Sequence, residues 1–193
     1  TIPTHWKRIG KKYFNNKPFY CSFYVPSTVK TINGKEIGEI EEVTHFDIPT
    51  YVTKLDNCCF NWCSSITSIT IPTSVVEIGN GSFNGMIYLK EIELPTSITK
   101  FGSNLFWDCI SLTSITLHDN YKEMQNWDFH CCESLSRIVL PSTVTKIRYG
   151  AFAGCQSLKS INLENIKEFG KSCFYHSGIT QENHPQLPDH CCD

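Results

Sequence analysis

The side chains in this chain that could do chemistry are first of all thiols. Eleven cysteines stand among 193 residues, with vicinal pairs at Cys58-Cys59, Cys131-Cys132 and Cys191-Cys192. A thiolate is a nucleophile and a soft metal ligand, and an imidazole near it can serve as base or as second ligand. His130 adjoins Cys131-Cys132, and His118 is a second imidazole of the same stretch. Cys58, Cys59 and Cys63, or His184, His190, Cys191 and Cys192, could supply a zinc set. No pair of Cys-x-x-Cys clusters at zinc spacing accompanies them, so no metal is expected. Members of a vicinal pair rarely bond each other, because so small a ring is strained. Glu91 and Glu93 are two apart and would share one strand face, an arrangement a glycosidase pair can show; on an open sheet it reads as polar surface. The chain contains no phosphate-binding loop, dinucleotide fingerprint, nucleophile elbow or metalloprotease helix motif. Adjacency in sequence is not a catalytic dyad, so no catalytic residue and no cofactor are expected.

Which of these groups meet depends on the elements that carry them, and the prolines mark those elements. Pro3, Pro26, Pro49, Pro72, Pro95 and Pro141 are spaced by 23 residues or, once, by 46; His118 fills the skipped position and Glu164 follows in phase. A fixed period of this size overrides any local reading. With the anchor counted as position 0, eight units start at 3, 26, 49, 72, 95, 118, 141 and 164.

Position −1 holds Ile2, Val25, Ile48, Ile71, Leu94, Leu117, Leu140 and Leu163, and position −3 holds Phe23, Phe46, Ile69, Ile92, Ile115, Ile138 and Ile161. Polar residues alternate with both columns, so each unit contributes one short, half-buried strand. Proline then ends it, since it has no N–H to give the ladder. A second apolar edge follows at +3 and +6, for example Val75 and Ile78. Gly10, Gly79 and Gly102 at +7, with Asn33 and Asp56, are residues that tolerate a left-handed turn. Position +11 is the most uniform, with Phe14, Ile37, Phe60, Phe83, Phe106, Phe129 and Phe152, and rings at one level can stack into a spine. The last unit is one residue short after Glu164, so Ile166, Phe169 and Phe174 fall one position early.

Taken together the unit reads L-x-x-I-x-L-P-x-x-V-x-x-I-G-x-x-x-F-x-x-C, seen most clearly from Ile138 through Pro141, Val144, Ile147, Phe152 and Cys155 to Leu158. In this pattern the chain resembles the BspA-like (treponemal-type) leucine-rich-repeat family over essentially its whole length. No unit can bury its own apolar edge, so neighbours must stack. The expected fold is a repeat solenoid, a leucine-rich-repeat right-handed β/α superhelix of eight 23-residue units with one parallel sheet and little α-helix. At about 4.8 Å per strand it would extend roughly 35 Å. Residues 1–182 would be a single domain and 183–193 a C-terminal tail. The run Gly-Ala-Phe-Ala-Gly-Cys on the return path suits a short helical or 3₁₀ turn.

The repeat also sorts the thiols. Cys63, Cys109, Cys132 and Cys155 share position +14 with Ile40 and Met86, so they read as buried, reduced and structural. Cys21, Cys131, Cys191 and Cys192 lie off the inward columns and are the candidates for reactivity or pairing.

Seventeen Lys plus Arg against nineteen Asp plus Glu give a formal charge of −2, which argues against a nucleic-acid partner. Hydrophobic residues are 40%, too many for a disordered chain, and no apolar run is long enough to span a membrane. The start at Thr1, without Met and without a charged and apolar leader, fits a processed chain or a piece of something longer. Residues 1–35 carry Lys7, Arg8, Lys11, Lys12, Lys17, Lys30 and Lys35 and no acid. That basic end could meet an anionic surface or be a solvated cap.

A solenoid presents its regular strand face for recognition. The expected function is therefore a non-catalytic protein-binding module of a surface or secreted protein, and the resemblance implies adhesion; an intracellular, cytoplasmic interaction scaffold is the alternative. The protein ligand would contact the outward residues that interrupt the Ser/Thr-rich face: Tyr24, His45, Asp47, Glu91, Glu93 and Arg137.

Overall fold

A computed structural model describes residues 45–193, together with the backbone of Arg8–Ile9, Thr31–Ile32 and Lys35–Glu36. Fourteen short strands are numbered in chain order among the described residues. One column, the outer ladder, comprises β4 (His45–Asp47), β6 (Ser68–Thr70), β8 (Glu91–Glu93), β10 (Ser114–Thr116), β11 (Arg137–Ile138) and β13 (Ser160–Ile161). Strand β4 pairs with β6, β8 with β10 and β11 with β13, all parallel and 23 residues apart, as in His45 opposite Ser68 and Glu91 opposite Ser114. Central residues such as Phe46 and Ile92 point inward and are buried, while their neighbours are polar and mostly exposed.

The expected parallel repeat solenoid with little helix is what folds, but its strands form more than one sheet. The second apolar edge is itself a ladder, of β5 (Lys54–Leu55), β7 (Glu77–Ile78), β9 (Lys100–Phe101), β12 (Lys146–Ile147) and β14 (Glu168–Phe169). Its inward members Leu55, Ile78 and Ile147 are buried. Its outward members form an alternating charge series: Lys54 pairs with Glu77, Glu77 with Lys100 at 3.8 Å, and Lys146 with Glu168 at 2.8 Å. Glu123 continues the series and is held by Arg148 at 2.8 Å. Each exposed pair contributes under about 1 kcal/mol, but slipping one coil by a full period would set like charges together.

The first unit's β1 (Arg8–Ile9) pairs with β5, two periods on, while β2 (Thr31–Ile32) pairs antiparallel with β3 (Lys35–Glu36). In sequence, Asn33-Gly34 stands between β2 and β3, the dipeptide best suited to a two-residue hairpin, which accords with their antiparallel pairing.

The return path is held by a third line of inter-coil bonds. N–H groups at +9, +11 and +13 donate to carbonyls at +8, +10 and +12 of the next coil, as in Cys58 to Asn80 (2.8 Å), Phe60 to Ser82 (2.9 Å) and Trp62 to Asn84 (2.7 Å). Residues at +9 and +13 take left-handed φ in every described coil: Cys58 and Trp62, Gly81 and Gly85, Asn104 and Asp108, Trp127 and Cys131, Gly150 and Gly154, Ser172 and His176. This alternation turns the expected 3₁₀ turn into a run of consecutive hydrogen-bonded turns, as where Asn61 N–H donates to the Cys58 carbonyl and Cys63 N–H to the Phe60 carbonyl. It also corrects the reading of position +7. Gly79 has no left-handed φ; its missing Cβ would lie 2.5 Å from the Asn57 nitrogen, so glycine is needed there for close approach of the neighbouring coil.

Inside, the aromatic spine is continuous. Phe60, Phe83, Phe106, Phe129, Phe152 and Phe174 stack at centroid distances of 6.0, 5.5, 5.2, 5.5 and 5.7 Å, and Phe46 caps the row at 5.4 Å from Phe60. All are buried.

Candidate functional site

The outer ladder alternates inward and outward residues, so every inward apolar side chain delivers its two neighbours to one solvent-facing surface. His45 and Asp47 on β4, Glu91 and Glu93 on β8, and Arg137 on β11 all stand exposed on that surface. Tyr24 lies outside the described residues. A shallow hollow of about 560 Å³ runs over this face, lined by His45, Ser68, Thr70, Glu91, Glu93 and Thr116 among others. A second, of about 520 Å³, adjoins it across β10 and is bounded by Arg137, Val139 and His118. The two hollows share Ser114, Ile115 and Thr116. One extended partner could thus lie across five strands and meet carboxylates at one end and a guanidinium at the other.

His45 is fixed across two strands. Its Nδ1 lies 2.6 Å from Ser68 Oγ and its Nε2 3.0 Å from Asp47 Oδ1. A hydrogen bond from Thr70, with further help from His45, holds the Asp47 carboxyl below the usual carboxylate range. Hydroxyl, imidazole and carboxylate in a row is also the order of a nucleophile relay. Here the imidazole and carboxylate side chains are 46% and 62% exposed on an open strand face, and what the row does is orient the ring. Among the described residues, Glu91, Glu93 and Arg137 enter no ion pair, which leaves their charges available to a partner. No group of three His, Cys, Asp or Glu side chains suited to a metal occurs among the described residues, and no helix there is long and apolar enough to cross a membrane.

The family pattern described as a BspA type leucine-rich repeat region matches residues 1–67 and 53–180 in six copies. The chain belongs to the BspA-type leucine-rich-repeat family. Solved structures agree. A Treponema pallidum leucine-rich-repeat protein is 26% identical with a TM-score of 0.65, covering 76% of this chain and 65% of that one. A Bacteroides ovatus leucine-rich-repeat protein is 28% identical, TM-score 0.59, covering 72% of this chain and 42% of that one. A leucine-rich cell surface protein of Faecalibacterium prausnitzii is 25% identical, TM-score 0.51, covering 70% of this chain and 46% of that one. This BspA-type chain therefore spans less than two thirds of the length of each of the three. Among curated proteins none matches it. Members of the repeat family are generally non-catalytic binding modules.

Several features of this member were missed in the sequence. Asp128, at +10, is wholly buried; Tyr121 Oη donates to its Oδ2 at 2.6 Å and the Gln125 N–H at 2.7 Å. Nothing in the period marks it, because the same position elsewhere holds Cys59, Ser82, Leu105, Ala151 and Cys173. A row of aromatic side chains also runs along the return path, with Trp107 stacked on Trp127 at 5.9 Å and Trp127 edge-on to Tyr149 at 4.6 Å. Its members fall at different positions in their units, which hid the row from a periodic reading.

The cysteine column at +14 is buried as expected, and for a specific reason. Cys109, Cys132 and Cys155 each donate S–H to a phenylalanine carbonyl of the preceding coil, at 3.2, 3.2 and 3.0 Å. Of the four cysteines expected off the core, Cys131 and Cys192 are partly exposed and Cys21 lies outside the described residues. Cys191 is wholly buried, because the C-terminal segment folds back onto the last coil.

Proposed function

We propose that this protein is a non-catalytic recognition module that binds a protein partner on the outward face of its outer ladder, as part of a surface or secreted protein. The observation that carries this reading is the pair of adjoining hollows on a regular strand face, bordered by Glu91, Glu93 and Arg137, whose charges enter no internal pair among the described residues. Exposed charged and aromatic groups amid small Ser and Thr side chains are where binding energy concentrates, since each buries a large contact and keeps a directed polar group. The similarity to a cell surface protein supports placement outside the cell, and with it a role in adhesion.

Peptides selected from a random display library on the wild-type chain test the reading. Replacing Glu93 and Arg137 together by Ala should weaken the selected peptides by tenfold or more at moderate salt. If they instead keep their affinity for that variant and lose it when Lys7, Arg8, Lys11 and Lys12 are neutralised, the site is the basic end and the strand-face reading falls. The salt response separates the two, because exposed charge clusters are screened within about 10 Å at 0.1 M salt.

A further inference from the structure

We infer that Cys173 and Cys191 form a disulfide that pins the C-terminal segment over the open end of the solenoid. The argument starts from the return-path bonds. In the preceding coil, Gly150 N–H donates to the Lys171 carbonyl at 3.2 Å and Phe152 N–H to the Cys173 carbonyl at 2.8 Å. Past Phe174 the repeat pattern gives way to the segment 181–193, which supplies the corresponding acceptors: Ser172 N–H donates to His190 at 2.7 Å and Phe174 N–H to Cys191 at 2.8 Å. Cys191 thus stands to Phe174 as Cys173 stands to Phe152, and the two cysteines occupy one inward column in successive tiers.

Tiers of a parallel stack are about 4.8 Å apart, within the Cα separation a disulfide spans. Both side chains are wholly buried, and both stand as free thiols in this structure. By contrast, the stacked thiols of Cys109, Cys132 and Cys155 are each directed at a backbone carbonyl. The segment is also positioned independently of sulfur. Leu187 is buried, Gln181 Nε2 donates to Asp189 Oδ1 at 2.7 Å, and His190 Nε2 lies 2.9 Å from the Phe169 carbonyl. Docked in this way it covers Cys173 and Phe174, the apolar edge that a repeat array would otherwise expose to association.

The oxidant is a small-molecule disulfide such as oxidised glutathione. One cysteine thiolate attacks it, forming a mixed disulfide and releasing one glutathione thiolate; the second cysteine thiolate then attacks the protein sulfur of that bond and releases the other. Two protein thiols give up two electrons and two protons, and one glutathione disulfide becomes two glutathione thiols. Burial pushes both thiols up when the segment is docked, so the exchange belongs to folding or to moments when the segment is open.

Refolding the reduced full chain in a glutathione redox buffer, then alkylating under denaturing conditions and digesting without reductant, tests this. The expected product is one chain lighter by two hydrogens before alkylation and labelled on nine of its eleven cysteines after it, with a peptide joining Cys173 to Cys191. Reductant should lower its thermal midpoint by roughly 5–10 °C. Cys191→Ser should show the lower midpoint with or without oxidant, and Cys192→Ser should behave as wild type. Linkage of Cys191 to Cys192 or to any other partner, complete alkylation of all thiols, or a midpoint that ignores reductant would each overturn the proposal. None of these outcomes bears on the strand-face site, which lies on another side of the repeat.

Discussion

Asp128 is a carboxyl placed where the repeat calls for a small or apolar side chain. Tyr121 replaces the Val or Ile of its column and gives the carboxyl a hydroxyl partner, so the two departures compensate each other inside the core. Burial pushes the Asp128 carboxyl from 3.8 to about 7; the bonds from Tyr121, Gln125 and Leu105 oppose that rise, and the nearby Glu123 charge adds to it. The sign follows from proton linkage. A group whose folded pKa lies above its unfolded one stabilises the fold fully at pH below the unfolded value, and that contribution is lost as pH rises through the folded value. Stability should therefore fall between about pH 4 and pH 7, by up to about 4 kcal/mol from this group. Urea unfolding across that range should show the slope in the wild type and a much flatter one in Asp128→Asn, whose amide oxygen can accept the same two short bonds. Equal slopes in both chains would mean that Asp128 does not titrate there.

The element at issue is the return path, with its paired left-handed residues flanking each phenylalanine. Glycine fills both sites only in two of the described coils, at Gly81 with Gly85 and at Gly150 with Gly154; elsewhere Cys, Trp, Asn, Asp, Ser and His carry the same φ. For that reason the left-handed columns were not legible from glycine, whereas the glycines that did recur, at +7, answer to close packing. Gly154→Ala should destabilise the chain by about 1–2 kcal/mol, the usual cost of a left-handed Cβ, because φ is +75° and the new carbon would crowd Cys131. Asn104→Gly, at a φ already left-handed, should be close to neutral. Chemical denaturation of the two variants checks the pair, and equal effects would contradict the assignment. The charge series on the second ladder was, by contrast, readable in the sequence, since Lys54, Glu77, Lys100, Glu123 and Lys146 alternate at +5, and Glu168 follows one position early with the rest of its shortened unit.

At the scale of the molecule, a solenoid is a chain of neighbour contacts, and a defect matters according to how many neighbours it has. Phe106 stacks between Phe83 and Phe129, whereas Phe174 has one ring neighbour in the spine, Phe152. Phe106→Ala should cost roughly 3–5 kcal/mol and Phe174→Ala less, with both read from denaturant midpoints. A shift for Phe106→Ala no larger than that of a surface substitution would contradict the spine. The sequence by itself determined the period, the inward columns, the phenylalanine spine and the outward strand face, because each recurs at one position and burial in a stack imposes that recurrence. It placed His45, Asp47, Glu91, Glu93 and Arg137 on one surface without showing the hollows between them. Only tertiary structure decided what depends on contacts across coils: the bond of His45 to Ser68, the burial of Asp128 beside Tyr121, and the seating of Cys191 above Cys173. These occur once each, so no period announces them, and they exist only where stacking brings residues from different coils, or from the C-terminal segment, within reach.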